Sequence, residues 1–272
     1  MKKINHLESG FISVPGADMY IEMTGKGHTV VFVHGLGLDN RIWDEQFPVF
    51  AEKYQVIRYD LRGFGKSSLP GSQAYSHHQD LAAMLRHLQI EKISLVGLSM
   101  GGRIALDFTL TFPEMVSSLV LVDSALHGYT FQTFSLDKII TVAGASGIDP
   151  ANQAWLEHEL FDSANRIPRV SAALKRIVAD YSGWHWLNRN PWTPLAPPSI
   201  EQLNSINTPT LILAGEFDLP DFQEIAKIIS EKIPGSKKIT IPHAGHMSNM
   251  ENPEYFNEVV CEFLTGQMGI KN

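Results

Sequence analysis

Four stretches of this chain are apolar almost without a break: TVVFVHG from residue 29, KISLVGLS from 92, VSSLVLVD from 116 and TPTLILAG from 208. A strand with one face in water alternates apolar and polar residues. A strand covered on both faces has no need to, and reads as a continuous run. QVIRYD and SKKITIP add two further strands, and FISV and DMYIE form an opening hairpin around Pro15-Gly16. Helical patterns separate the runs. SHHQDLAAMLRHLQI puts Leu81, Met84, Leu85 and Leu88 on one face, with Ser76 expected as its N-cap. MGGRIALDFTLTF is a second helix, closed before Pro113, and two more are expected near 222–232 and 254–265. Strands alternating with helices specify an α/β fold whose mainly parallel sheet is covered on both faces.

A chain of 272 residues with 44% hydrophobic and 19% charged residues can bury the core such a sheet requires. The net charge of −7, without like-charge runs, argues against nucleic acid or an anionic membrane as partner. MKKINHLESG has no apolar stretch behind its lysines, so no signal peptide is expected, and no apolar run approaches a membrane span. Cys261 is the only cysteine, in keeping with a reducing cytoplasm, and its apolar surroundings predict a buried, inert thiol.

Residues 127–200 differ in kind. They carry Trp155, Trp184, Trp186 and Trp192, end in the proline-rich NPWTPLAPPS, and space Leu156, Leu160, Leu174, Ile177 and Val178 as helices do. The division expected is a core domain from 1–126 and 201–272 with a helical cap inserted at 127–200. The four tryptophans are either packing inside that cap or the roof of a ligand pocket.

GLSMG at 97–101 lies between a buried strand and a helix, where G-x-S-x-G has a mechanical meaning. The serine takes a strained conformation at a tight turn, so its hydroxyl stands clear of the sheet. Gly97 and Gly101 let the backbone pass close on either side, and the helix N-terminus adds partial positive charge beside a developing oxyanion. Ser99 is therefore the candidate nucleophile.

With these features the chain resembles the α/β-hydrolase fold family nearly end to end. VVFVHGLG resembles the family's His-Gly segment, which makes the backbone N–H of Leu36 an oxyanion donor, with the N–H of Met100 as its partner. AGEFDLP resembles the turn that carries the acid, Asp218, and HAGHMSNMENPE the loop that carries the base, His246. The order Ser99, Asp218, His246 is the order this fold uses. Asp123, at the end of VSSLVLVD, and Asp221 are rival acids, and His243 is a rival base. His34 is expected beside the oxyanion loop, and His77 and His78 at a helix start are expected to be solvated.

Serine at the elbow excludes the aspartyl chemistry of dehalogenases and epoxide hydrolases. HGLGLDNRIWDEQ, VIRYDLRGFGKSS, GLSMGG and GHMSNMENPE resemble most the branch of 3-oxoadipate enol-lactonases and related esterases and lactonases. His34 and the tryptophan-rich cap depart from the enol-lactonases. The resemblance implies a serine hydrolase of apolar acyl esters or lactones, N-acyl-homoserine lactones among them. Two further readings stay open. One is cleavage of a C–C bond in a ring-opened diketone, with Arg166, Arg169, Lys175, Arg176 or Arg189 gripping a carboxylate. The other is a ligand receptor that keeps the triad and turns over slowly.

Gly65-Lys66-Ser67 imitates a phosphate loop but has Asp60 where the pattern needs glycine, and GLGLDN lacks the third glycine of a dinucleotide fingerprint. His243 and His246 are spaced H-x-x-H without the rest of a zinc motif. No cofactor and no metal are expected. The expected partner is a small ester or lactone, acted on by a monomer or homodimer.

Overall fold

The computed structural model describes residues 8–267, so the opening lysines, Lys2 and Lys3, lie outside the described residues. Eight strands form one sheet: β1 (Glu8–Val14), β2 (Ala17–Gly25), β3 (Thr29–Val33), β4 (Gln55–Tyr59), β5 (Ile93–Leu98), β6 (Val116–Val122), β7 (Thr210–Gly215) and β8 (Lys237–Ile241). Their spatial order is β1-β2-β4-β3-β5-β6-β7-β8, antiparallel from β1 to β4 and parallel from β4 onward. Every residue of β3, β5 and β7 is buried, which is why those segments are continuously apolar. β8 lies at the edge and exposes Lys237 and Lys238, charges that discourage further strand pairing.

The helix Met100–Thr111 packs on β5 and β6, Pro220–Lys232 on β7 and β8, and Pro253–Gln267 on β6. The helix His77–His87 lies against Met100–Thr111 and buries Leu81, Met84 and Leu85. Among the described residues no helix is long and apolar enough to cross a membrane. Between β6 and β7 the chain makes three longer helices, Asp137–Ser146, Ile148–Leu156 and Pro168–Ala179, with short turns around them. Leu174 and Val178 of this segment are fully buried, as the helical spacing requires.

Three expectations need correction. Ser76 stands at the N-cap but its hydroxyl donates to the carbonyl of Thr193 (2.7 Å) and does not cap the helix. His77 and His78 are buried, not solvated. His77 is enclosed edge-on between Tyr75 and Trp192 (5.1 and 4.8 Å between centroids), and Trp192 arrives from far along the chain. Cys261 is half-buried, with burial pushing its thiol pKa up.

Candidate active site

Ser99 sits at the sharp turn between β5 and the helix Met100–Thr111 with φ 55° and ψ −116°, a conformation that a residue with a Cβ adopts only under constraint. Main-chain bonds supply the constraint. Its N–H donates to Val122 at the end of β6 (2.9 Å), and its carbonyl accepts from Arg103 and Ala125 (3.1 and 3.0 Å). A Cβ at Gly97 would strike the backbone of Gly101, and one at Gly101 would strike the carbonyls of Val33 and His34. Both glycines are there because main chain passes directly against main chain.

The His246 ring is buried, and its Nδ1–H donates to both carboxylate oxygens of Asp218 at 3.0 Å. That bond fixes the tautomer and leaves Nε2 with its lone pair free. Nε2 is buried and has no partner among the described residues. Ser99 and His246 line one cavity of about 230 Å³, together with Leu36 and Met100. The backbone N–H groups of Leu36 and Met100 donate to no described residue. For Met100 this follows from its place as the first residue of a helix.

The rival residues are held elsewhere. Asp123, also at positive φ (45°), accepts from the Gly215 N–H (2.7 Å) and from the Ser248 hydroxyl, and makes no bond to His246. Burial, with Asp218 nearby, pushes its carboxyl pKa well above the usual range. Asp221 organises a loop. Its carboxylate accepts the amides of Gln132, Thr133 and Phe134 (2.8–2.9 Å) and the hydroxyls of Tyr129 and Thr133. His243 is exposed and its N–H donates to Glu216. The histidine loop has its own brace: Glu251 accepts from the amides of Gly245 and Met247 and from the hydroxyl of Ser163.

Of the residues expected to meet substrate, Trp155 and Trp192 line the cavity; His34, Trp184 and Trp186 do not. His34 is fully buried beside Gly35. Its Nδ1–H donates to Gly35 (2.8 Å) and its Nε2 accepts from the Leu61 amide (2.9 Å), while burial holds its pKa down and the ring neutral. Trp186 donates from its indole N–H to Asn152 (2.9 Å) and packs edge-on against Tyr181, so its ring is packing within residues 127–200. Trp184 stands edge-on to its neighbour His185. Arg166, Arg169, Lys175, Arg176 and Arg189 are all exposed and none reaches the cavity.

The rest of the lining was missed from sequence. Phe131 and Phe134 come from the loop that Asp221 holds, and they pack on Phe222, which lies 4.2 Å from the His246 ring. Arg103 and His185 line another part of the cavity. Helical spacing could have flagged Arg103, which is one turn beyond Ser99.

The phosphate-loop imitation also resolves. The Asp60 carboxylate accepts the Lys66 amide (2.8 Å) and both donors of Asn40, so an internal anion occupies the turn.

A family model described as the alpha/beta hydrolase fold matches residues 28–253. A protein named as putative carbamate hydrolase RutD from Klebsiella pneumoniae (strain 342) is 28% identical over 252 residues, covering 89% of this chain and 92% of that one. The solved structure of a thermophilic esterase from Thermogutta terrifontis, with malate bound, superimposes with TM-score 0.79 at 27% identity, covering 96% of this chain and 99% of that one. Est816, described as an N-acyl homoserine lactone degrading enzyme, gives TM-score 0.76 at 26% identity over 93% of this chain and all of its own.

Proposed function

Because the chain belongs to the α/β-hydrolase fold family, we propose that it is a serine hydrolase of carboxylic esters, with apolar acyl esters and lactones such as N-acyl-homoserine lactones as its substrates. The observation that carries this reading is the His246–Asp218 pair, bonded at 3.0 Å, with His246 lining the same cavity as Ser99 at its strained turn.

Ser99 Oγ attacks the carbonyl carbon as His246 Nε2 takes its proton. Asp218 holds the tautomer and stabilises the imidazolium without itself becoming protonated. The oxyanion receives the N–H groups of Leu36 and Met100. Collapse expels the alcohol, protonated by His246, and leaves an acyl-serine. Water, activated by the same imidazole, then releases the acid. In a lactone the expelled alcohol stays tethered to the acyl group.

Residues 127–200 act as a cap: Phe131, Phe134, Trp155 and Phe161 supply the apolar wall for an acyl chain. The lone cysteine suits a reducing cytoplasm.

A fluorophosphonate probe should label the wild type and leave Ser99→Ala unlabelled, with kcat for simple esters falling by several orders of magnitude in that variant. Labelling that survives Ser99→Ala would overturn the assignment. Labelling without turnover of any ester or lactone would favour a receptor. Turnover of carbamates above esters of matched size would move the substrate class toward that of the relative named for it.

A further inference from the structure

Arg103 belongs to no step described so far. Its guanidinium lines the cavity one helical turn past Ser99, yet it makes no hydrogen bond or ion pair with any described residue, and its Nε is buried without a partner. What holds it is Trp192, whose ring lies 4.1 Å from Cζ. Burying the Nε–H without a partner is unfavourable, and the rest of the guanidinium, only partly withdrawn from water, keeps its donors free for a ligand.

The surroundings compensate it only in part. Asp107, one turn further along the helix, is near enough for its charge to favour the guanidinium, but it accepts from the Ser199 hydroxyl, forms no ion pair with Arg103 and is pushed by burial toward its neutral form. His77 and His127, the imidazoles that feel the Arg103 charge, have their pKa lowered first by burial and further by that charge, so neither supplies a counter-charge. The result is a positive, under-coordinated group facing the space where substrate sits.

Its place in the sheet fixes what it would touch. Trp192 packs on His77, and His185 stacks on Phe64 just past β4, so this flank of the cavity lies on the β4 side of Ser99. Phe131, Phe134 and Phe222 lie on the other side, toward β7. Ser99, at the end of β5, stands between a cationic flank and an aromatic one.

We propose that Arg103 binds a carboxylate carried by the substrate, so that the preferred ester or lactone has an anionic group a few carbons from the scissile carbonyl and an apolar part on the opposite side. This rests on the hydrolase reading above. The planar fork matches a carboxylate with two parallel N–H bonds, and stacking on Trp192 fixes the direction of the fork before substrate arrives. Its reward is in binding and orientation, not in a proton transfer.

The test compares esters that differ only in that charge. Monoethyl succinate, glutarate and adipate are paired with ethyl pentanoate, hexanoate and heptanoate, and 4-acetoxybutanoate with pentyl acetate. In the wild type the charged member of at least one pair should have the higher kcat/KM. Arg103→Met should lower that charged-to-neutral ratio by roughly ten- to a hundredfold, and Arg103→Lys by less. Equal ratios in wild type and Arg103→Met for every pair would overturn the proposal and leave Arg103 as packing on Trp192. Binding of the same carboxylates to Ser99→Ala, with and without Arg103→Gln, gives the answer without turnover. Carboxylate binding that weakens on losing Arg103 supports the site even if no ester is hydrolysed, and binding that is unchanged removes it even if all are.

Discussion

Asp123 and Asp218 stand at the ends of neighbouring strands, and only Asp218 reaches His246; Asp123 is turned away to hold the Gly215 amide and Ser248. The two carboxyl groups, close enough to influence one another, are thus divided between orienting an imidazole and closing a turn.

That division makes the first prediction. Asp218→Asn should cost on the order of 10⁴ in kcat, because an amide presents the wrong hydrogen-bond pattern to Nδ1. Asp123→Asn replaces a carboxyl that burial already drives toward its neutral form, so kcat should stay within about tenfold while stability drops by roughly 1–3 kcal/mol. Steady-state kinetics and denaturant melts on both variants check this. A larger kcat loss in Asp123→Asn would mean that the acid has been placed on the wrong strand.

A second prediction concerns Asp221. Burial alone would raise its carboxyl pKa, but the amides of Phe134, Gln132 and Thr133 outweigh that and hold it well below the usual range. Its stabilising bonds are therefore complete above about pH 4 and are lost only as the pH falls through the depressed value. Asp221→Ala should release the loop bearing Phe131 and Phe134. Turnover of long acyl esters should fall far more than that of acetates, and the melting temperature should drop. Equal losses across the series would refute the role given to this loop.

The aromatic lining can be separated from the aromatic packing. Burying an acyl chain against the cavity wall is worth ~0.8 kcal/mol per methylene, roughly three- to fourfold in kcat/KM for each added carbon until the space is full. Phe134→Ala should flatten that slope. Trp186→Ala should leave the slope intact and lower stability by about 3–5 kcal/mol, since its ring and N–H are spent on Tyr181 and Asn152. The reverse pattern would exchange the two assignments.

The pH dependence of stability offers a fourth. Burial pushes the His185 pKa down to about 4. The same imidazole in the unfolded chain titrates near its ordinary value of about 6.5. Between those values the unfolded chain binds the extra proton, so stability falls as the pH drops from 6.5 and levels off below 4. His185→Phe should make that acid slope shallower, by at most about 3 kcal/mol across the window. Identical slopes in the two proteins would show that His185 is not titrating there.

The fold was legible because its signals are local. A run such as TLILAG is buried on both faces wherever it lies in a parallel sheet, and the glycines around Ser99 are demanded by a turn only five residues long. The resemblance of their loops to those of the family picked out Asp218 and His246, and the two side chains are hydrogen-bonded. Long-range contacts were not legible. Trp155 and Trp186 have equally apolar neighbours in sequence, and only the packing of residues 127–200 decides that one meets the cavity and the other Asn152. His77 looked solvated until Trp192, more than a hundred residues away, was seen to cover it. Asp221 looked like a spare acid because the loop that consumes its lone pairs lies some ninety residues earlier.

Gly215 adds a third close approach to those at Gly97 and Gly101, for a Cβ there would strike the carbonyls of Gly245 and Ala244. Main chain abuts main chain behind Ser99 and again beneath the loop of His246. The interval between Ser99 and His246 is thus gauged by atoms common to all amino acids, and the side chains of the core do not set it. Divergence could exchange one core residue for another and shift the melting point without changing that interval. A single methyl group at any of these three glycines would change it at once.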